Sequence, residues 1–598
     1  MQINPKPSPE RYRVCYQVVL GPITENMSNR FVRRRWQMPT TTNKFFLSFV
    51  YLLAVANLAM GQSSSQKTNL PLSAERLFSP DRVTEIQIEL NENDWDEIRS
   101  QTRTFGEALT KQLAENPFTY VKGNITIDGT VIKDVGIRKK GFLGSLNTER
   151  PSLKIKFKQY TDQTPVAGLD RLTLNNNNQD AARVCQFISY KMYRDSGTIA
   201  PRCGFTKVTV NGKYLGIYSN VESIKADFLR RSYGDSSGEL FEGTVADFFP
   251  NWIQKFEAKN KQASLSSLQK ISEVLQEDEL DFDTLGKLID VDAFIRFWAM
   301  ESLLGFWDGY CSNQNNFFIY RHPKNEKFYF IPWGTDSCLS DSFPFPPYRI
   351  RPRSVHAKAI IPNRLYRSEE SKADYIETLK TFLDKHWQEE ELLAELQRLE
   401  KMLRPHLLED NRSFDQTLDG YREFIRGRRA AIESEFKDGP PELKSREKQP
   451  VYFVTVGTAE VSFKTKWFTE RPKAIPGIGE ATVNLIVDGK PIELTDVGVF
   501  AKTDDRNESN AAIVVVGQRV SNKKTIILAA SMPKSQFNPG DKPIPVGGIL
   551  MQPSSLGMWG GKMRMASGTA NLKQASIELG KPIEGTLSLT ITKMKGTK

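Results

Sequence analysis

Apolar residues in this chain change their spacing twice, and that change limits what it can fold into more than any single motif does. In VTEIQIEL, from Val83, they alternate; between residues 263 and 436 they fall at helical spacing; after residue 450 β-branched runs, Gly and Pro take over and helical spacing is almost gone. Alternation sets one face of a strand against a core, and a 3.6-residue spacing does the same for a helix. A chain of 598 residues also exceeds what one hydrophobic core sustains. The expected class is therefore α+β: a small β-rich lobe, a larger helical lobe, and a separate C-terminal all-β domain that is sandwich-like.

Local signals sharpen this. Strands are predicted over Asn124–Asp128 and Val131–Arg138 about Asp128-Gly129, over Ser152–Phe157, and over Thr206–Val210 and Tyr214–Ser219 about Asn211-Gly212. Asn91 to Asp94 offer an N-cap to a short helix through Trp95 and Ile98, and Val184, Phe187, Ile188 and Met192 mark one side of a helix over 180–195. Helices are expected over 263–276, 281–288 and 290–304, then a strand pair over Asn316–Tyr320 and Lys327–Ile331, then three or more amphipathic helices within 369–436. Strands fit 451–456, 480–487, 512–517, 524–530 and 585–593. The expected divisions are an N-terminal extension and signal over 1–61, a flexible leader over 62–76, a two-lobed domain over 77–438, a charged linker over 439–449, and the β domain over 450–598.

Arg33, Arg34, Arg35 and Lys44 precede the apolar run Phe45–Met60, and Ala59-Met60-Gly61 leads into a polar stretch. That is the layout of a secretory signal, so export with cleavage near Gly61 is expected; an uncleaved anchor is the other reading. The run of 16 residues is short for a spanning helix, and no other segment is as apolar, so no membrane span is expected in the mature chain. Residues 1–61 carry eight basic and two acidic side chains, more than half of the net charge of +11. The remainder is only mildly basic, with no Lys/Arg run and no aromatic-basic motif, which argues against a nucleic-acid partner. Cys185, Cys203, Cys311 and Cys338 lack CxxC spacing, so zinc is not expected, while buried thiols and one disulfide are both open.

Phosphoryl transfer needs a phosphate cradle, a cation that reaches it, oxygen ligands for a divalent metal, and an acid at the acceptor hydroxyl. Residue types for each are present. Asp308 and Asn313, in WDGYCSNQNN, have the spacing that a kinase catalytic loop gives its proton-accepting Asp and its metal-binding Asn. Asp336, in FIPWGTD, follows a strand pair where a kinase places another metal ligand, and such hard oxygens suit Mg2+ or Mn2+. The stretch GIRKKGFLGS, from Gly136, sets Arg138, Lys140 and Gly141 at the end of a strand, fit to cover phosphates. Lys154 and Lys156 share one face of the strand SLKIKF. Each has a plainer reading: turn caps, a basic surface turn, a solvated strand face. No HExxH, P-loop or Rossmann glycine pattern occurs.

Taken in order, VTEIQIELNENDWDEI, ITIDGTVIKDVGIRKKG, RPSLKIKF, GLDRLTLNNNNQD, APRCGFTKVTVNGKYLGIYSNVE, DFLRR, WDGYCSNQNNFFIY and FIPWGTD resemble the CotH (spore-coat-H-like) family of atypical protein kinases. The resemblance runs from Val83 to about Phe436 and omits the β domain. It implies a degenerate two-lobed protein-kinase-like fold in an exported bacterial member. It further implies Mg2+- or Mn2+-dependent transfer of the ATP γ-phosphate to Ser or Thr of a coat, surface or extracellular protein. On matching positions, Asp308 becomes the catalytic acid/base, Asn313 and Asp336 become metal ligands with Asn316 assisting, and Lys140, Arg150, Lys154 and Lys156 face phosphates beside Arg138 and Gly141. Glu222, after the NGKYLG hairpin, either lines the nucleotide pocket or links the lobes.

Three positions depart from the family pattern. Many members read PWDxD where this chain has Pro332-Trp333-Gly334-Thr335-Asp336, so only the second acid is present. Members often carry Arg-Glu where this chain has Cys185-Gln186, which leaves a kinase-like Lys–Glu pair no obvious acid. Arg150 stands where Lys is common. These departures keep a second expectation open: a catalytically dead pseudokinase that acts as a surface structural or binding protein, its C-terminal domain contacting a surface or matrix partner.

Overall fold

The structure is a computed structural model and describes residues 72–103, 105–163, 166–341, 352–408, 412–472, 477–505, 507–540, 543–554 and 557–595. The extension and apolar run over 1–61 lie outside these residues. Seven strands close a barrel: β1 (Val83–Leu90), β2 (Val121–Ile127), β3 (Thr130–Lys140), β4 (Ser152–Lys156), β5 (Arg171–Asn175), β6 (Cys203–Val210) and β7 (Lys213–Val221), in the order β1-β2-β3-β4-β5-β7-β6. Neighbours are antiparallel except β1 and β6, which run parallel. Ile86, Ile88, Ile125, Ile127, Ile137, Leu153 and Ile155 fill the core, as their alternation demands. The two hairpin turns work because Asp128 and Asn211 accept φ of +47° and the following glycines accept +86° and +79°. By the same alternation, Arg138 and Lys140 on β3 and Lys154 and Lys156 on β4 lie on the opposite, outward face.

A second sheet has the order β11-β10-β8-β9, from β8 (Glu239–Gly243), β9 (Glu257–Ala258), β10 (Phe317–Arg321) and β11 (Phe328–Pro332). Helices surround it: Cys185–Asp195, Leu265–Gln276, Phe282–Leu288, Val291–Leu303, Glu369–Lys385, Glu389–Leu403 and Arg412–Glu435. Asp281 and Asp290 cap two of them by accepting the N–H of Thr284 and Ala293. Trp298 is fully buried at the centre, stacked on Tyr375 with ring centroids 3.8 Å apart, and its Nε1 donates to the His356 carbonyl at 2.7 Å. The structure adds β5, β8 and the helices Ala226–Tyr233 and Ile360–Tyr366, none of which the sequence reading had separated.

The C-terminal region corrects the sandwich expectation. It is one nine-stranded antiparallel sheet, β12 (Tyr452–Lys466), β13 (Glu480–Val487), β14 (Lys490–Pro491), β15 (Leu494–Asp504), β16 (Asn507–Arg519), β17 (Thr525–Pro533), β18 (Ile544–Ser554), β19 (Gly557–Gln574) and β20 (Pro582–Lys595), in the order β14-β13-β12-β20-β19-β18-β17-β16-β15. The sheet curls on itself, with Trp467 beside Ala501, so residues of one face, among them Val461, Leu485, Val499, Ile513, Leu528 and Leu587, form a single core without a second sheet. β18 and β19 escaped the sequence reading because glycine looks like a strand breaker. Here it permits close approach: a Cβ on Gly548 would lie 2.0 Å from the Ala529 carbonyl, and one on Gly568 1.9 Å from that of Ser588.

The linker and leader are also held. Lys448 N–H donates to the Lys358 carbonyl at 2.8 Å, Tyr452 packs edge-on to Trp252, and Phe453 N–H reaches the Leu109 carbonyl at 2.7 Å. Of the leader read as flexible, the described residues 72–76 include Ser73, which caps a short helix, Ala74–Leu77, and the next residue, Leu77, is buried in the barrel core. Cys185, Cys203, Cys311 and Cys338 are buried free thiols. Among the described residues no helix is long and apolar enough to cross a membrane.

Trp298→Ala should lower unfolding stability by about 3–5 kcal/mol. Denaturant titration measures it, and a midpoint unmoved from the wild type would refute this account of the core.

Candidate functional site

The antiparallel hairpin β10–β11 determines which loops meet. Phe317 pairs with Pro332, and the Trp333 N–H donates to the Asn316 carbonyl at 3.0 Å. The segment that ends at Asn316 and the segment that begins at Trp333 therefore emerge at the same end of the sheet. The first contains Asp308, a single helical turn (Tyr310–Asn313), then Gln314 and Asn316 with φ of +55° and +54°. The second contains Gly334, whose φ is +55° and whose Cβ would lie 2.8 Å from Asn316 Oδ1, and then Asp336.

The reversal of chain direction wraps three asparagines around Asp308. Asn313 Nδ2 donates to its Oδ1 at 2.7 Å, Asn315 Nδ2 to the same oxygen at 3.1 Å, and Asn316 Nδ2 to its Oδ2 at 2.9 Å. Burial pushes the Asp308 carboxyl up to about 6, against the opposite pull of the three amides. Asp336 is buried; burial first, and the charge of Asp308 as well, push it up to about 7, while the Lys140 ammonium draws it back.

The outward face of β3 and β4 supplies the opposite charge. Lys154 stands across from Arg138, and Lys140 across from Ser152 at the strand end. Lys154 is held well below its ordinary pKa, first by burial and then by Arg138, with Glu242 opposing. Lys140 is lowered by burial while Asp336 and Glu242 pull it up. Among the described residues neither ammonium has a hydrogen-bond or ion-pair partner. Lys156 lies one pleat further along, opposite Gly136 and Arg171. Gly141 takes a φ of +135°, and a Cβ there would lie 2.5 Å from Ser145 Oγ. The loop that follows is fixed from below: Asn176 Nδ2 donates to the Ser145 and Arg150 carbonyls, Asn178 Nδ2 to that of Gly144 at 2.9 Å, and Gln179 Nε2 to Ser337 Oγ, next to Asp336.

Two residues named from the sequence lie elsewhere. The Arg150 guanidinium donates to the carbonyls of Leu215 and Ile217 at 2.7 and 2.9 Å and rests over the Tyr218 ring, so the barrel engages it. Glu222 is buried between Arg202 and Arg231, at 2.8 and 2.7 Å. Burial works to raise its pKa, but the two arginines hold it below the usual value. Through Arg231 it ties the end of β7 to the helix Ala226–Tyr233. The acid the sequence reading did not find is Glu242 on β8. It ion-pairs with Lys259 at 2.7 Å and acts on Lys154 through its field. Its position in EGTV, without a motif, gave no signal.

The site thus presents a half-buried and a buried carboxyl, both with raised pKa, and two cations that have no hydrogen-bond or ion-pair partner among the described residues. That donor set fits a hydrated divalent cation beside a polyphosphate. Asp308, Asn313 and Asp336 would hold the metal, and Lys140 and Lys154 the phosphates.

Sequence comparison falls on the same stretch. A family model described as CotH kinase protein matches residues 137–445. Inner spore coat protein H of Bacillus subtilis is 21% identical over 295 residues, 44% of this chain and 77% of that protein. Invasin CotH3 of Rhizopus delemar is 24% identical over 230 residues, 34% of this chain and 38% of the relative. Spore coat protein homolog 1 of the same organism is 28% identical over 152 residues, 23% and 25% of the two chains. The aligned stretches span well under half of the two Rhizopus proteins. The family match begins inside β3, short of Val83 where the resemblance of motifs begins, and ends in the linker.

An acid whose folded pKa exceeds its unfolded value favours folding while neutral. That contribution is complete below the unfolded pKa and is lost as pH rises through, for Asp336, about 7. Asp336→Asn escapes the loss. It should be more stable than wild type at pH 8, by on the order of 2–4 kcal/mol, and equal to it near pH 4. Denaturant midpoints at the two pH values test this; a difference independent of pH would contradict it.

Proposed function

Because this chain belongs to the CotH kinase family, we propose that it transfers the γ-phosphate of ATP, with Mg2+ or Mn2+ bound, to a Ser or Thr hydroxyl of another protein. The observation that carries this reading is the action of the amide-held Asp308 on Asp336, and of Asp336 on Lys140, with Lys154 next to Lys140 in the same field. Asp308 is the proton acceptor. A carboxyl poised at about 6 is ionised at neutral pH yet basic enough to take a hydroxyl proton as the oxygen–phosphorus bond forms and the bond to ADP breaks. Asn313, Nδ2 turned to Asp308, leaves its Oδ1 for the metal. When bound, the metal neutralises charge on the β- and γ-oxygens. Lys154 and Lys140 orient the phosphates, and Glu242, itself paired with Lys259, acts on Lys154 through its field.

The acceptor is read from two sources outside the cleft. The basic-then-apolar N-terminus supports export, and the relatives' names, a spore coat protein and an invasin, support a coat or cell-surface acceptor. One observation favours a second reading, nucleotide binding without turnover. Position 334 carries no acid, and a Cβ there would press on the Asn316 amide at 2.8 Å.

Purified protein should incorporate label from γ-labelled ATP. Asp308→Asn should cut the rate about 10²–10⁴-fold, Lys154→Ala should raise the KM for ATP, and the wild-type rate should fall as pH drops through about 6. No label, with a nucleotide-induced rise in Tm, would select the second reading; no label and no rise would refute both.

A further inference from the structure

One buried acid has no part in the cleft. Glu301, in the last turn of the helix Val291–Leu303, is fully buried. It meets no cation. Its Oε1 accepts the Tyr310 N–H at 2.9 Å and its Oε2 the Cys311 N–H at 2.8 Å. These are the first amides of the turn Tyr310–Asn313, donors that a helical turn cannot satisfy for itself. Gly309 lies between Asp308 and that turn, and a Cβ there would be 2.4 Å from Glu301 Oε1. The carboxyl therefore fills the space that any side chain at 309 would need, directly beside Asp308.

The far side of the turn is braced too. Asp247, fully buried, accepts from Tyr310 Oη, Gln314 Nε2 and the Ile360 N–H, each at 2.9 Å. The helix that carries Glu301 also supports the strand leading to Asp336: Phe294 and Phe297 pack on Phe330 of β11 with ring centroids 4.8 and 5.7 Å away. Glu301 thus ties the Asp308 turn to the element that sets the position of Asp336.

We propose that Glu301 is a positioning residue: through the amides of Tyr310 and Cys311 it fixes where the turn after Asp308 begins, and so the placement of Asp308 against Asp336. What Asp308 then does rests on the kinase reading; the clamp does not.

The test uses the full chain with Glu301→Gln, Gly309→Ala and the double variant. Backbone amide exchange reads the clamp without reference to activity. In Glu301→Gln one side-chain oxygen becomes an N–H donor, so exchange at Tyr310 or Cys311 should quicken tenfold or more, with the helix Val291–Leu303 unchanged. The phosphate-transfer kcat should fall tenfold or more with the KM for ATP within twofold. Gly309→Ala, which displaces the same carboxyl from the other side, should reproduce both effects, and the double variant should be no worse than the worse single one. Should Glu301→Gln fail to fold, Gly309→Ala decides alone. Unchanged exchange at both amides would overturn the proposal, as would faster exchange with kcat unaffected, or kcat and KM shifting together with a collapse of Tm. A wild type without transferase activity would refute the kinase reading, and the exchange measurement would still decide the clamp.

Discussion

Asp308 is held by amides and not by a cation, and much of the surrounding architecture follows from that. An arginine or lysine within contact distance would drive the carboxyl well below its ordinary range and make it a poor proton acceptor. Three asparagine side chains orient it while leaving burial to dominate, so its pKa rises. To deliver three amides to one carboxylate from the same short segment, the chain must fold back within nine residues, which requires left-handed conformations at Gln314 and Asn316. The hairpin β10–β11 then brings Gly334 close against Asn316, where a Cβ would lie 2.8 Å from the Asn316 Oδ1.

Opposite charges are kept apart across the cleft. Neighbours in sequence show how closely this is controlled. Lys139 points to the inner side of β3, where it is buried and its Nζ donates to the Arg99 carbonyl at 2.6 Å. Lys140, the next residue, points to the cleft and feels Asp336 and Glu242 only through their fields. A strand turns successive side chains to opposite faces, so one register step separates a structural lysine from one that can serve a ligand. Arg150 makes the same point from the other direction, since its fork is taken up by carbonyls of β7.

What could be read beforehand was whatever repeats locally. The alternating strands, the Asp128-Gly129 and Asn211-Gly212 turns and the capped helices lie close to where their periodicity put them, because each is decided by neighbours in sequence. The spacing of Asp308 and Asn313 was legible for the same reason. Glu242, Glu301 and Asp247 were not, since each is an isolated acid outside any motif, and its role comes from the residue the fold brings to it: Lys154, Tyr310 and Ile360 respectively. The C-terminal sheet was misjudged in number of layers because strand patterning tells which face is buried, not whether a second sheet or the curl of the same one covers it.

The left-handed conformations at Gln314 and Asn316 have a thermodynamic consequence. A non-glycine residue in that region costs about 1–3 kcal/mol, and this chain carries two within three positions. That strain is met when the chain folds, out of the burial of the aromatic core beneath the turn, where Tyr310 packs on Phe317 and Phe330. It is therefore absent from each later encounter with a ligand. The turn arrives at every binding event already in its working shape, and the entropy of ordering it belongs to the stability of the fold, not to the affinity of the site.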